Sequence, residues 1–274
     1  MPGAPPNQPA PVVAARQTSG MERHHAISVL QREAGRVLQL ASDYDRLAAP
    51  VPSCPGWDLA DVVKHLGNVY NWVGTIVDGR LAAPPGPEIP RRPADMGPGD
   101  WMADRLDRVV SVLTSAPDDA VMWNFASDSP APVSFWWRRQ VHETAIHRVD
   151  AELACSARIA TLEPEIAADN VSELLFLLRF IETSPLTDGA PAPAEAEPPA
   201  GLTVHLHATD ADGAEWTVDT EARTIARAHT KSDVAIRGTA WALARWCWGR
   251  SVDGEIETFG DLQAAESWRR SVVP

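Results

Sequence analysis

The sequence predicts an α+β protein, an N-terminal helical bundle followed by a small α+β domain. Three observations carry this expectation. Between residues 22 and 183 apolar residues recur at helical spacing in successive segments. After residue 201 the period changes to two, the mark of strands. The change is punctuated by "PLTDGAPAPAEAEPPAG", residues 185–201, whose composition is that of a linker. The expected organisation is a Pro/Ala-rich tail over 1–20, a helical unit over 21–184, the linker, and a second domain over 202–274.

The elements follow in order. Ile27, Leu30, Ala34, Val37, Leu38 and Ala41 share one face of a first helix within 22–48. "PSCPGWDLAD" interrupts it with two prolines and a glycine, and Asp58 stands as N-cap of a second helix over 58–78, with acidic Asp61 in its first turn. A long Pro/Gly loop, 83–99, separates this from a third helix over 100–115. A fourth helix over 133–154 completes a four-helix bundle, and a fifth follows over 163–183. In the second domain, Leu202, Val204 and Leu206 alternate toward a hairpin turn at Asp212-Gly213. "SDVAIRG" reads as another strand, "TAWALARWCWGR" as a helix and "GDLQAAESWRRSV" as a closing helix.

Composition excludes several functions. A formal charge of −13 with no basic stripe argues against a nucleic-acid binder, which needs clustered Lys and Arg. Apolar runs such as Leu174 to Ile181 stop well short of the ~18–20 residues of a membrane span. The proline-rich start lacks the apolar core of a signal peptide, which points to a cytoplasmic protein, and Met21 offers an alternative start. Cys54, Cys155 and Cys247 are scattered and odd in number, so neither a disulfide framework nor a Cys-rich zinc site follows.

The chemistry concentrates in "FWWRRQVHETAIHRVDAELA", residues 135–154. Glu143 and His147, four apart, share a helix face. His142 lies about 140° round from His147 and is left to a supporting or surface place. His65, three after Val62 and four before Val69, sits on the second helix's core-facing stripe. A carboxylate buried on such a face needs a partner. A divalent cation shared with two imidazoles provides one, and three protein ligands with an open position describe a catalytic zinc site. The alternative is a solvated face with Glu143 paired to Arg139. Asp150, three after His147, is placed either to hold that ring's other nitrogen or to form a surface ion pair.

"VPSCPGWDLADVVKHLG", "HETAIHRVDAE", "LTVHLHATDADGAEWTV" and "VAIRGTAWALARWCWGR", taken in order over residues 22–272, resemble the mycothiol-dependent maleylpyruvate isomerase family. The resemblance implies a DinB-like four-helix bundle holding a divalent metal, usually zinc, through His65, Glu143 and His147, with a C-terminal α+β domain helping to close the site. It also implies mycothiol as the low-molecular-weight thiol cosubstrate. The thiol would add to an activated cis alkene, the bond would rotate, and elimination would leave the trans product. Since maleylpyruvate carries carboxylates, bidentate arginines are the expected substrate contacts. Arg250 is the first candidate, followed by Arg237 and Arg245. Trp136, Trp137, Trp241, Trp246 and Trp248 are expected in core or interface packing, and Cys54 in a structural turn. Three functions stay open: isomerisation or thiol transfer on a small electrophile, hydrolysis with the same metal, and a non-catalytic metal- or thiol-responsive binding protein. No nucleic-acid or membrane partner is expected.

Overall fold

The computed structural model describes residues 21–181 and 201–272 apart from Glu88, Asp128 and Arg223. The expected tail and nearly all of the expected linker lie outside these residues. Helices α1 (Arg23–Ala41), α2 (Leu59–Gly79), α3 (Pro98–Ser115) and α4 (Val133–Ala154) pack on one another, each pair in contact. They enclose a core that includes Leu30, Val37, Leu59, Leu66, Tyr70, Met102, Leu113 and Trp136. A short 3-10 turn, Tyr44–Arg46, follows α1.

The start of α2 matches the expected cap. The Asp58 side chain accepts from the Asp61 backbone N–H at 2.9 Å and the Asp61 carboxylate accepts from that of Asp58 at 3.3 Å. Arg80 ends the helix in the left-handed conformation, φ 43°, its N–H returning to Ile76 and Val77. Ahead of α2 the chain folds tightly on itself. Val51 N–H donates to Trp57 O at 2.9 Å and Trp57 N–H to Cys54 O at 3.0 Å. The reversal passes through Gly56 at φ 86°, a conformation that disfavours any side chain.

Helix α4 is buried on nearly all sides and carries many charges. Burial of those charges is tolerated because each is paired. Arg148 donates to Glu33 of α1 at 2.6 Å and to Glu152 at 2.5 Å, and Arg36 of α1 reaches Glu152 at 3.2 Å. Arg138 pairs with Asp169 at 2.8 Å and Arg139 with Glu173, both partners lying on α5 (Pro164–Ile181).

The sequence groups α5 with the bundle; the structure shows it bridging to the second domain as well. Trp216 Nε1 donates to Ser172 Oγ at 3.0 Å and Trp248 Nε1 to Asn170 Oδ1 at 2.8 Å. That domain is a five-stranded sheet of β3 (Thr203–Ala208), β4 (Glu215–Asp219), β5 (Thr224–Ala226), β6 (Val234–Gly238) and β7 (Ile256–Gly260), in the order β5-β4-β3-β6-β7. Only the β3–β6 pairing is parallel. Two further strands, β1 (Val121–Met122) and β2 (Ala131–Pro132), form a small ribbon before α4. Val204, Leu206, Trp216, Val218, Val234 and Ile236 form the sheet's buried face, covered by α5 and by α6 (Ala240–Cys247). Helix α7 (Leu262–Val272) closes the domain, its Trp268 near Trp246. Strands β5 and β7 are absent from the sequence expectation. Both lie at sheet edges and carry few buried side chains, so the alternation that marks a half-buried strand is weak in them. Trp136, Trp137, Trp241 and Trp246 are buried, as expected. No helix among the described residues is long and apolar enough to cross a membrane.

Candidate metal centre

Helices α2 and α4 bring His65 and the Glu143/His147 stripe face to face. His65 Nε2 lies 2.9 Å and His147 Nε2 3.4 Å from the same oxygen, Glu143 Oε1. The three prospective ligand atoms lie within 4.8 Å of one another. Two donors bound tetrahedrally at about 2.1 Å from one ion stand about 3.4 Å apart, so the donor set fits a divalent cation with minor rotation. The other oxygen of Glu143 is held by Arg139, which leaves Oε1 as the free donor. The ion pair expected as the alternative to metal binding is therefore present, and it orients the carboxylate that faces the two imidazoles.

His147 is fixed from behind. Its Nδ1–H donates to Asp150 Oδ2 at 2.8 Å, which turns Nε2 toward the centre. Burial alone would lower the His147 pKa, but Asp150 and Glu143 outweigh it and raise it to about 9. Burial would likewise raise Glu143, yet the Arg139 charge and the imidazoles hold it well below the usual carboxylate range. Trp57, delivered by the tight turn before α2, stacks on His147 at 5.9 Å and 13° and lies 5.2 Å from His65. Side-chain exposure of 33% at His65, 19% at Glu143 and 13% at His147 leaves the centre reachable from solvent.

The second domain reaches this centre through Arg250. Arg250, just beyond α6, donates from Nε to Asp150 Oδ1 at 2.9 Å and from Nη2 to Oδ2 at 2.7 Å. Ser53 Oγ adds a bond to Oδ1 at 2.5 Å, and Cys54 Sγ lies 3.6 Å from Oδ2. Burial would raise Asp150, but the bond from His147 and the charge of Arg250 hold it far below the ordinary range. The Cys54 thiol is pushed up to about 11, by burial first and then by Asp150 beside it. That favours its structural placement over nucleophilic use.

These contacts bear on four expectations. Arg250, expected to meet a substrate carboxylate, has its planar fork engaged by Asp150. Arg237 stands opposite His207 on the face of the sheet turned away from α5 and α6, and donates to Glu257 at 3.1 Å. The strand's alternation places it there, and no contact joins it to the triad among the described residues. Arg245 is buried and bonds Glu255 and the Ser251 carbonyl. His142 is fully buried and donates to Asp169 at 2.8 Å, a link to α5 and not a surface position. Trp57 and Ser53 were not singled out by the sequence. The signal available was their proximity to the Asp58 cap.

Residues 30–152 match the family model of the mycothiol maleylpyruvate isomerase N-terminal domain, and residues 165–267 match that of the MDMPI C-terminal domain, which takes in α5. No curated protein sequence matches the chain. Among solved structures the chain is similar to a mycothiol-dependent maleylpyruvate isomerase, with a TM-score of 0.57 and 13% identity, covering 88% of this chain and 95% of that one. A histidine-to-alanine mutant of that isomerase gives a TM-score of 0.58 at the same identity and coverage. The two matched domains lie in order along most of the chain, and the chain belongs to the mycothiol-dependent maleylpyruvate isomerase family.

Proposed function

We propose that this chain is a metal-dependent enzyme that uses mycothiol, a low-molecular-weight thiol, to isomerise or add to a small electrophilic, carboxylated substrate. The observation that carries the reading is the convergence of two imidazoles from two helices on one carboxylate oxygen, with the other oxygen of Glu143 held by Arg139 and His147 Nδ1 held by Asp150. His65, Glu143 and His147 would hold a divalent cation, zinc by its donor preference, which would supply the Lewis acidity that brings a thiol's pKa down from about 8.5.

The chain's own residues divide the remaining tasks. Arg139 holds the second oxygen of Glu143, so that Oε1 is the oxygen that would be offered to the cation. Asp150 keeps His147 in the tautomer that presents Nε2. Arg250 acts as a positioning residue, carrying the second domain onto Asp150 and neutralising that carboxylate. The stacked Trp57 walls one side of the imidazole pair and limits water there.

Cobalt substitution tests the reading. Mycothiol added to the cobalt protein should produce a sulfur-to-cobalt charge-transfer band that glutathione reproduces weakly or not at all, and His65→Ala and Glu143→Ala should each lose one equivalent of metal. An unchanged spectrum at saturating mycothiol overturns the thiol reaction and favours metal-assisted hydrolysis or a binding role.

A further inference from the structure

A second group of ligand-type side chains lies on the opposite face of the C-terminal sheet, away from α5 and α6. His205 and His207 are two apart on β3 and so point to the same side, the side opposite buried Val204 and Leu206. Glu215 on β4 is the direct register partner of His207. The fourth member, His229, comes from the loop after β5, and its arrival has a structural cause. Thr217, the register partner of His205, donates from Oγ1 to the Ala228 carbonyl at 3.0 Å and lies 2.8 Å from Thr230 Oγ1. These two contacts straddle His229 and pin the loop above the sheet.

The four side chains converge on one point. His229 Nδ1 lies 2.6 Å from Glu215 Oε2, His205 Nε2 lies 3.2 Å from the same oxygen, and His207 Nδ1 lies 3.1 Å from Oε1. The ring centroids are 5.0 to 6.3 Å apart and the planes meet at 74° to 90°, so the rings turn edges inward and do not stack. All four prospective donor atoms lie within 4.8 Å of one another. Arg237, opposite His207 on β6, is turned to Glu257, which offsets its charge.

We infer that His205, His207, Glu215 and His229 form a second cation site, for a divalent first-row transition metal of the zinc class. Three imidazole nitrogens and one carboxylate oxygen are a borderline donor set that selects zinc, cobalt, nickel or copper over magnesium and calcium. Four protein ligands close a tetrahedral ion, so this site is structural, in contrast to the three-ligand centre between α2 and α4. Its effect is to fasten the loop after β5 to the central hairpin, closing that loop with a metal clip. His229 is 76% exposed and gives the ion a route in from solvent.

The site is tested with the full chain stripped by chelator and titrated with zinc or cobalt alone. A His65→Ala/His147→Ala variant, with the first centre disabled, should still bind one equivalent per chain, show the visible bands of tetrahedral cobalt, and melt higher with metal than without. Adding His207→Gln and His229→Gln should abolish that equivalent. In the otherwise unaltered chain the exposed His229→Gln change alone should weaken one of two binding events by roughly tenfold or more in chelator competition. Absence of binding in the first variant, or unchanged binding after the two glutamine substitutions, overturns the site.

Discussion

Replacing Asp150 by Asn exchanges one carboxylate oxygen for an NH2 group and tests the link between the second domain and the metal centre. Oδ1 accepts from Arg250 Nε at 2.9 Å and Ser53 Oγ at 2.5 Å, while Oδ2 accepts from Arg250 Nη2 at 2.7 Å and His147 Nδ1 at 2.8 Å. Whichever way the amide turns, its NH2 meets two donors, one of them the guanidinium. Asp150 is fully buried and the Arg250 side chain only 9% exposed, so the charge left behind is poorly solvated. Breaking a buried pair in this manner costs about 3–5 kcal/mol. Arg250 keeps its bond to the Trp248 carbonyl at 2.5 Å, which places the expectation at the lower end, about 3 kcal/mol. Weakening the carboxylate behind a ligating histidine should also lower metal affinity by about 10- to 100-fold. Urea unfolding of the metal-free protein measures the first effect and chelator competition the second. A loss of stability under about 1 kcal/mol together with unchanged metal affinity would refute the claim that Asp150 both orients His147 and anchors Arg250.

Two other substitutions probe the scaffold. Burial would raise the Asp169 carboxyl, but the bond from His142 and the charge of Arg138 hold it far below the ordinary range. Its contribution is therefore full above the unfolded value of about 3.9 and is lost as pH falls below it. Asp169→Asn should reduce stability at neutral pH and flatten its decline below about pH 4, as read by chemical unfolding across pH; an unchanged acid limb would contradict the assignment. A methyl group on Gly67 would stand 2.4 Å from Trp101 Cδ1 and 3.2 Å from the Met102 backbone, so Gly67→Ala should lower stability by about 1–3 kcal/mol in thermal unfolding despite alanine's better helix propensity.

The N-terminal helices are legible in the sequence because α1, α2 and α3 each bury one stripe, and because Asp58 and Asp61 announce the start of α2. Helix α4 is harder, since its buried charges erase the apolar periodicity while their pairing partners lie up to 116 residues away. The centre itself is readable in part. The four-residue spacing of Glu143 and His147 is a local fact, and His65 stands out as a polar residue on a core stripe. The occupation of Arg250 by Asp150 is not local, because the two lie 100 residues apart in different domains. The outer-face histidines show the same division. His205 and His207 are visible in "LTVHLHATD" as polar positions in an alternating strand, but Glu215 joins them only through the β3–β4 register and His229 only through the loop pinned by Thr217.

The bidentate grip of Arg250 on Asp150 bears on how the two halves of this chain can be recombined. A carboxylate that supports a ligand in one half depends on a cation supplied by the other, so the halves are not interchangeable parts even though each matches its own domain family. A chimera joining this bundle to a relative's C-terminal half inherits a working centre only if an arginine returns to the same carboxylate. Without one it carries an unneutralised acid at the seam, and the mismatch would appear first as a weakened metal site in the half that was left untouched.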